Sequence, residues 1–430
     1  MFRFFYDAAL FFLLALSLPK FLWQMIFHGK YRVSLLQRLG LNLPKFPPKN
    51  HEISIWIHAV SVGEARALLP LLQRILQGYP KAQILVSSTT ETGFAEVKRS
   101  MKGRVIQCFL PFDFCWIIKR AMKRFKPNLL ILVESDFWYN LLKSAKEEGA
   151  KTVLVSGKIS ERSSRRLRVF SFFAKRLFSQ VDRFCVQNEA YRKTFMSIGI
   201  EPSKIVVTGN LKFDTEVEKL TVAERRFWKQ EMGITQENLV IVMGSTHESE
   251  EELLLTALNP LLSTFPKIKI LIVPRHPHRN AFVRTYLQSQ GYHWISFTER
   301  QRKKGDEKIV LIDEMGLLTM CYQLSDIAIV GGSFIKGIGG HNIFEPIECG
   351  IPVLFGPYMQ AQKEMVDLAL KAKAAKQVSI SELPFCLLQW LEDEGERQSC
   401  ARSCLALAKE VKGSSERTFR ELLALFKHTF

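Results

Sequence analysis

The sequence predicts an α/β protein of two tandem domains, each built on a doubly wound parallel sheet. Its 430 residues are too many for one ordinary hydrophobic core, so two domains are expected. Short apolar runs alternate with helical stretches, and the runs are continuously apolar, as parallel strands covered on both faces are. The alternation stops in a charged segment and then starts again, which indicates a second domain of the same class.

The first half of the chain contains the elements of a Rossmann-like domain. Its first strand, Ile53–His58, precedes a helix near Ala65–Leu76, and a second helix begins at about Phe94. The remaining predicted strands are Gln83–Ser87, Val105–Phe109, Asn128–Val133, Lys151–Ser156, Arg183–Gln187 and Ile205–Val207.

The second half repeats the pattern after a charged, helix-prone segment. It begins with the strand Leu239–Met243 and the helix Glu250–Leu262. Its other predicted strands are Ile268–Val273, Lys308–Ile312, Ile327–Val330 and Pro352–Phe355. The predicted organisation is a membrane anchor at 1–30, an N-terminal domain at 31–214, a linker at 215–236 and a C-terminal domain at 237–430.

The first thirty residues differ in composition from the rest. Ala8–Leu18 is an uncharged apolar run, Pro19–Lys20 interrupts it, and Phe21–Phe27 resumes it. The bulky residues after the first run do not fit a cleavage site. We expect an uncleaved anchor that lies in the membrane interface or spans with a kink, the alternative being a buried N-terminal helix. Positive charges follow this segment and predict a cytoplasmic location for the rest of the chain: Lys20, Lys30, Arg32 and Arg38.

Charge and cysteine content narrow the function classes. Lys and Arg total 60 against 42 Asp and Glu, a net charge of +18. Such an excess attracts polyanions: nucleic acid, phospholipid head groups or phosphorylated substrates. The eight cysteines form no C-x-x-C pair, so no zinc site is expected and a reducing cytoplasm is indicated. No helix-turn-helix, zinc finger or aromatic RNA-binding segment is present, so nucleic acid is not an expected partner.

Two candidate segments of the first domain directly follow strands, where ligands of such sheets bind. After the first strand come His58, Ser61, Gly63, which would permit a tight turn, and Glu64. Glu64 either favours the helix dipole or acts as a general base. After a later strand, Glu134 is expected to face the same crevice, whereas Ser135 and Asp136 would cap the next helix.

A third segment, Gly209–Asp214, precedes the linker. Its Lys212 is either a cation that neutralises an anionic donor at the domain junction or a solvated surface lysine.

In the second domain, two segments suit anion binding. Gly244–His247 is either a phosphate-sized loop at a helix N-terminus or a capping box. Pro274–Arg279 contains Arg275, suited to bidentate binding of phosphate or carboxylate, and His276. A metal pair of His276 and His278 is disfavoured by the intervening proline and the flanking arginines.

The longest signal is the glycine-rich segment Gly331–Pro346, between a strand and a helix. Its glycines would supply bare N–H groups to a phosphate. Glu345 would then bind ribose hydroxyls, and Asn342 would cap the helix or contact the nucleotide. The alternative is a merely flexible loop.

Together these motifs resemble the Kdo transferases, enzymes that attach 3-deoxy-D-manno-octulosonic acid (Kdo) to the lipid A precursor of lipopolysaccharide. The resemblance rests on the segments H-x-x-S-x-G-E, G-N-L-K-F-D, P-R-H-P-x-R and G-G-H-N-x-x-E-P, and runs in order from the anchor to at least Pro357. The Phe- and Lys-rich composition is similar to that of chlamydial members.

The resemblance implies a GT-B fold, with two Rossmann-like domains facing across a cleft and an anchor in the inner membrane. It implies CMP-Kdo as donor, the lipid A precursor (lipid IVA) as acceptor, and inversion at the anomeric carbon, at the cytoplasmic face. The number of Kdo residues added, one or more, stays open. No Asp-x-Asp follows a strand, so neither a metal nor another cofactor is expected.

The resemblance also implies residue roles. Glu64 would be the base, and Glu134 and Lys212 would stabilise the transition state. The remaining substrate-binding candidates are His58, Ser61, Gly63, Arg275, His276, Met315, Gly316, Leu317, Gly332, Ser333, Asn342, Ile343, Phe344 and Glu345. The family usually has a threonine and a glutamate after the residue matching Glu134, and a proline before the asparagine; here these are Ser135, Asp136 and Tyr139.

Two other functions compete with this prediction. One is a UDP-sugar-dependent transferase or epimerase, which does not by itself require the Glu64 segment. The other is a non-enzymatic, basic, membrane-tethered protein that binds polyanions.

Overall fold

The computed structural model describes residues 1–29, 31–32, 34–46, 53–215 and 217–427. The chain divides into two compact units. The first comprises Met1–Thr215 and Val411–Phe430, and the second Glu216–Glu410.

The first unit contains a seven-stranded sheet in which every recorded pairing is parallel. Its order is β3-β2-β1-β4-β5-β6-β7. The strands are β1 (Ser54–His58), β2 (Gln83–Ser88), β3 (Ile106–Phe109), β4 (Leu129–Val133), β5 (Lys151–Gly157), β6 (Arg183–Val186) and β7 (Ile205–Val207).

Helices connect these strands and cover the sheet. They are α1 (Phe2–Phe27), α2 (Leu35–Arg38), α3 (Val62–Gly78), α4 (Glu91–Met101), α5 (Cys115–Phe125), α6 (Tyr139–Glu147), α7 (Glu161–Val169), α8 (Ser171–Phe178) and α9 (Glu189–Ser197). Successive strand residues enter two separate core clusters: Trp56 of β1 packs in one, and Ile55 and Ile57 in the other. Both faces are therefore buried, which explains why the strands are continuously apolar.

The second unit has a sheet of the same class, in the order β10-β11-β9-β8-β12-β13-β14. Its strands are β8 (Leu239–Thr246), β9 (Ile268–Pro274), β10 (Trp294–Ser296), β11 (Ile309–Leu311), β12 (Ile327–Val330), β13 (Val353–Phe355) and β14 (Ala375–Gln377). Its helices are α10 (Val222–Glu231), α11 (Glu250–Thr264), α12 (Asn280–Ser289), α13 (Leu318–Leu324), α14 (Phe344–Glu348), α15 (Lys363–Lys371), α16 (Leu383–Glu392) and α17 (Glu394–Val411).

The predicted fold class is confirmed: each half of the chain forms a parallel sheet with helices. The sequence analysis missed β10 and β14. Both are edge strands that contain polar residues, Ser296 in β10 and Lys376 and Gln377 in β14, so neither shows the continuously apolar run of the other strands.

The end of the chain differs from the predicted boundary at 237–430. Its last helix, α18 (Ser414–Lys427), belongs to the first unit. Phe419 and Leu422 pack in that unit's core, and Asp214 accepts hydrogen bonds from the backbone N–H groups of Gly413 (2.8 Å) and Ser414 (3.1 Å). An amphipathic pattern shows that a helix buries one face but not which sheet it packs against.

The segment predicted as a linker, 215–236, contains α10 instead. Thr221 and Glu224 form a reciprocal capping box at its start. Its Trp228 packs in a core cluster of the second unit, 5.9 Å from the ring of Phe297. The helix is therefore part of the second unit.

Helix α1 is a single helix of 26 residues that continues through Pro19. It is the only helix in the described part of the chain that is long and apolar enough to cross a membrane, with a mean hydropathy of 1.7 over an 18-residue window. None of its residues is fully buried. Of the positive charges predicted to set its orientation, Lys30 lies outside the described residues.

Candidate functional site

In the first unit, the candidate residues follow the carboxyl ends of β1, β4 and β5 or lie just beyond β7. Glu64 stands in the first turn of α3, Glu134 directly follows β4, and Lys212 lies in a short 3-10 turn after β7. The carboxyl ends of parallel strands meet at one edge of a sheet, so this edge carries the site.

Glu64 is held by the turn that starts α3. Its Oε2 accepts from the N–H of Val60 at 2.8 Å, and its Oε1 accepts from the hydroxyl of Ser61 at 3.2 Å. Ser61 is also the N-cap of the helix. Partial burial raises the pKa of Glu64, and the negative charge of Glu134 raises it further. The hydrogen bonds from Val60 and Ser61 lower this pKa but do not outweigh burial and charge. Glu64 is therefore a stronger base than an ordinary carboxylate.

Gly63 is not needed for the turn, contrary to the prediction. It is an exposed residue of α3 outside the left-handed region, and an added Cβ would meet only the hydroxyl of Ser61, at 3.9 Å. An alanine would fit this backbone.

His58 is fully buried and connects two neighbours. Its Nε2 lies 2.8 Å from Oδ2 of Asp136, and its Nδ1 lies 3.0 Å from the hydroxyl of Ser87. Trp138 Nε1 donates to the same Asp136 oxygen at 2.7 Å. Burial raises the pKa of Asp136, but these two hydrogen bonds outweigh it and hold the pKa below its usual value.

The predicted capping role of Ser135 and Asp136 is therefore wrong. The N-cap of α6 is Trp138, and no side chain caps that helix. Asp136 instead fixes the ring of His58. This aspartate is one of the residues at which the sequence departs from the family pattern, and it has a partner here.

Glu134 is buried and has a positive φ of 62°. Its Oε1 lies 2.6 Å from Nζ of Lys212, and its Oε2 lies 2.6 Å from Nζ of Lys158. Burial raises its pKa, but the two ammonium groups outweigh this effect and lower it. Glu134 is therefore an ion-paired carboxylate that positions two cations, rather than a base.

Lys158 was missed by the sequence analysis. It directly follows β5, and its backbone N–H donates to the carbonyl of Glu134 at 3.2 Å. Its position just after a predicted strand could have indicated it, because the segments around Glu64 and Glu134 also lie just after strands.

In the second unit, Glu250 organises the glycine-rich loop. Its buried carboxylate accepts from the N–H groups of Gly332 (2.7 Å), Ser333 (3.2 Å) and Phe334 (3.0 Å), and from that of His247 (3.1 Å). Burial raises the pKa of Glu250 against these hydrogen bonds. The expectation of bare N–H groups is therefore wrong at Gly332 and Ser333, because a carboxylate of the protein already occupies them.

Gly332 itself is required. It has a φ of +66°, and an added Cβ would lie 2.8 Å from Cδ2 of His341. The loop is thus closely packed at this position rather than merely flexible.

Histidines and Arg275 lie together beside this loop. Nε2 of His247 lies 2.6 Å from Nε2 of His341, and the two rings stack 4.9 Å apart. The ring of His276 is 5.4 Å from that of His247. Burial, with the positive charges of His247 and Arg275 next in effect, lowers the pKa of His341 to about 4. Arg275 is exposed, so its guanidinium is accessible to an anion.

The other predicted residues of this unit lie at helix starts. Leu317 is the N-cap of α13, and Met315 and Gly316 are exposed just before it. Oδ1 of Asn342 accepts from the N–H of Phe344 at 3.0 Å in the turn that leads into α14, and its amide donates to Glu345 at 3.2 Å. Ile343 is buried in that turn.

No group of three or more His, Cys, Asp or Glu side chains could hold a metal ion among the residues that the structure describes. The rings of His276 and His278 stack 5.4 Å apart. In the first unit, the candidate site consists of a partly desolvated carboxylate and an ion-paired carboxylate with two lysines. In the second unit, it contains an exposed arginine beside the glycine-rich loop.

Comparison with known proteins identifies the family. The family described as 3-deoxy-D-manno-octulosonic-acid transferase (kdotransferase) matches residues 34–215. A 3-deoxy-D-manno-octulosonic acid transferase of Chlamydophila psittaci is 32% identical over 97% of this chain and 95% of its own length. The enzyme of the same description from Haemophilus influenzae is 31% identical over 88% of each chain.

Among solved structures, the UDP-GlcNAc 2-epimerase of Neisseria meningitidis bound to UDP-GlcNAc superposes with a TM-score of 0.62. It covers 86% of this chain and 100% of its own at 15% identity, so the likeness shows the fold alone. The sequence relatives match this chain over nearly its full length. Because of this similarity, the chain belongs to the 3-deoxy-D-manno-octulosonic acid transferase family and is a glycosyltransferase of lipopolysaccharide biosynthesis.

Proposed function

We propose that the protein moves Kdo from CMP-Kdo to the lipid A precursor lipid IVA, with inversion, at the cytoplasmic face of the inner membrane. The observation that carries the proposal is Glu64: a partly buried carboxylate whose pKa is raised, at the same sheet edge as Glu134 and its two lysines. The family membership supplies the sugar, and the resemblance of the motifs supplies the donor and the acceptor.

The proposed reaction is a single displacement. The acceptor hydroxyl oxygen forms a bond to the anomeric carbon of Kdo, the bond from that carbon to the phosphate oxygen of CMP breaks, and CMP leaves with the electron pair. Glu64 takes the hydroxyl proton, a task for which a carboxylate with a raised pKa is suited. Attack opposite to the leaving group inverts the anomeric carbon.

Lys212 and Lys158 supply fixed positive charge to this reaction. Their side chains are 42% and 34% exposed, so each can contact a ligand while it is paired with Glu134. The sugar carries a carboxylate and the acceptor carries phosphates, and ammonium groups already held in place stabilise such anions without reorganisation.

In the second unit, Arg275 is the proposed contact for the CMP phosphate, and the segment from Asn342 to Glu345 is the proposed contact for the nucleotide. Met315, Gly316 and Leu317 complete the donor site. A monophosphate leaving group needs less charge neutralisation than a diphosphate, so the proposed reaction requires no metal.

The test is transfer from CMP-Kdo, generated in situ, to a tetraacylated lipid A precursor in the presence of EDTA. A product whose mass includes Kdo would support donor, acceptor and metal independence together, and that mass would count the sugars added. If folded protein and intact donor yield no product with EDTA, but do so with added Mg²⁺, metal independence fails. If neither condition yields product, the proposed substrate pair fails.

A further inference from the structure

The two ends of helix α1 are attached to the same unit. Its first turns contact α5 and α6, and the segment that follows its last turn contacts α4 and the end of β3. The sequence left open whether this helix lies on a bilayer or spans it, and these contacts bear directly on that question.

The N-terminal attachment is polar and specific. Arg3 forms an ion pair with Glu147 at 2.7 Å and donates to Asn140 at 2.8 Å. The hydroxyl of Tyr6 donates to Asp113, which is buried, at 2.8 Å. Moving this end across a bilayer would break the ion pair and remove the Tyr6 hydroxyl from the buried carboxylate of Asp113, which would keep only the backbone N–H groups of Asn140 and Leu141 as donors.

The C-terminal attachment follows within a few residues of the helix end. The N–H of Tyr31 donates to Oε1 of Glu91 at 3.1 Å, and the ring of Tyr31 stacks on that of Phe21 at 4.7 Å. The guanidinium of Arg32 donates to the carbonyls of Met25 and Ile26, both at 2.9 Å.

Chain geometry then excludes a span. From Phe27 to Tyr31 the chain can reach at most about 14 Å, whereas the hydrocarbon core of a bilayer is about 30 Å thick. With Tyr31 on the first unit, Phe27 stays on that unit's side of the membrane, and the contacts of Arg3 keep the other end there too.

The exposure pattern agrees with a helix lying along the unit. Its half-buried side chains form one stripe: Phe2, Arg3, Tyr6, Asp7, Leu10, Leu14, Phe21, Gln24 and Met25. The rest of its surface carries exposed large apolar side chains: Phe4, Phe5, Phe11, Phe12, Leu13, Leu16, Leu18, Leu22, Trp23, Ile26 and Phe27. Such a surface faces acyl chains favourably when the helix axis lies in the interface.

A second exposed surface adjoins the start of α1. Val169, Phe170 and Phe172, at the junction of α7 and α8, are all at least 65% exposed. The ring of Phe172 lies 6.0 Å from that of Phe2, with the guanidinium of Arg176 over both rings. The adjacent exposed arginines are Arg162, Arg165, Arg166 and Arg168. Exposed aromatic side chains with several exposed arginines close by in the sequence complement an anionic phospholipid surface.

We propose that α1 does not cross the bilayer, and that it lies in the plane of an anionic phospholipid surface beside the tip formed by residues 162–172. The inference rests on the proposed membrane location but not on the transfer reaction. Helix α1 also begins and ends beside the N-termini of α4, α5 and α6, and therefore at the sheet edge that carries Glu64 and Glu134. A lipid acceptor could then reach that edge without leaving the bilayer.

The test compares the two ends of the helix in inside-out membrane vesicles from a Gram-negative host expressing the full chain. The variants F4C and H28C are treated with a membrane-impermeant maleimide, and the unmodified chain gives the background of its native cysteines. Phe4 lies in the first turn of α1, where the exposed apolar surface borders the half-buried stripe at Arg3 and Asp7, so a cysteine at this position stays near the head groups in either arrangement.

The in-plane arrangement predicts that F4C and H28C are both labelled from outside, and that freeze–thaw permeabilisation adds no further labelling to either. Labelling of H28C alone from outside, with F4C reacting only after permeabilisation, would overturn the proposal.

In vesicles, the variants R3E and E147R should each lower the melting temperature of the protein, and the double variant R3E/E147R should recover it. If the double variant instead shows the sum of the two single decreases in melting temperature, the contact between Arg3 and Glu147 is contradicted.

Membrane binding and catalysis are separated by two further measurements. The variant F170S should release more protein from vesicles of phosphatidylethanolamine and phosphatidylglycerol at high salt than the unmodified chain does. Unchanged release would remove the tip from the proposed surface. Transfer activity of the unmodified protein in detergent tests the reaction separately from membrane binding. If this activity is absent, the proposed function is contradicted while the topology result is unaffected.

Discussion

The ammonium nitrogen of Lys212 lies 2.6 Å from Oε1 of Glu134, and the other oxygen of that carboxylate is 2.6 Å from Lys158. One buried carboxylate thus holds two partly exposed cations, and the three side chains together carry a net positive charge. Glu134 adopts a left-handed backbone conformation, with a φ of 62°, that costs roughly 1–3 kcal/mol and recurs at functional sites.

Replacing Lys158 tests whether the second cation takes part in the reaction. We expect the variant K158M to lower kcat/KM by about tenfold to a hundredfold, because one fixed charge at a developing anion is worth roughly 1–3 kcal/mol. The variant K158R should recover most of the activity. The control is K175M, which removes an exposed lysine of α8; equal losses in K158M and K175M would contradict the role.

Replacing Glu64 tests the proposed base. We expect E64Q to lower kcat by at least about a hundredfold, the usual contribution of a general base, while the Kd for the donor stays nearly unchanged. The matched control is E148Q, at an exposed position after α6. Loss of donor affinity in E64Q would instead make Glu64 a structural or donor-contacting residue.

The pH dependence follows from the raised pKa of Glu64. Because the deprotonated form is the base, kcat/KM should increase with pH through a pKa above the usual glutamate value. Carboxyl-labelled NMR titration would measure this pKa directly. The negative charge of Glu134 contributes to the rise, so E134Q should move the Glu64 titration to lower pH. An unchanged titration would show that this charge does not act on Glu64.

Replacing Glu250 tests the loop of the second unit. The carboxylate accepts four backbone hydrogen bonds, so we expect E250Q to destabilise the unit by about 2–4 kcal/mol and to weaken donor binding. Denaturant unfolding and donor titration are the measurements. The variant E252Q, at an exposed position of the same helix, should behave like the unmodified chain. Full stability of E250Q would show that the loop holds its conformation without Glu250.

Asp214 anchors the last helix, α18, so removing the Asp214 carboxylate should release that helix from the first unit. Without the carboxylate that binds the N–H groups of Gly413 and Ser414, we expect D214A to destabilise the first unit by about 1–2 kcal/mol. Limited proteolysis should then cleave near residue 412 faster than in the unmodified chain. D367A, an exposed substitution in α15, serves as the control. Unaltered proteolysis of D214A would assign the attachment to the apolar contacts of Phe419 and Leu422 instead.

The sequence by itself determined the fold class, most of the strands and the strand ends that the candidate site residues follow. Periodicity reports local geometry, and a continuously apolar run followed by a polar residue marks a strand end wherever the strand lies in the sheet. Glu64, Glu134 and Lys212 could therefore be named as candidates, and their roles stay predictions. The full-length relatives confirm the family that the motifs indicated.

Only the tertiary structure decided which groups pair with one another. It placed Lys158 beside Glu134, turned Asp136 toward His58 instead of the next helix, and filled the glycine-rich loop with the carboxylate of Glu250. It also placed α18 and both ends of α1 against the first unit. These contacts join residues from dozens to about two hundred positions apart, and local spacing carries no information on them because side-chain partners are set by how distant segments pack.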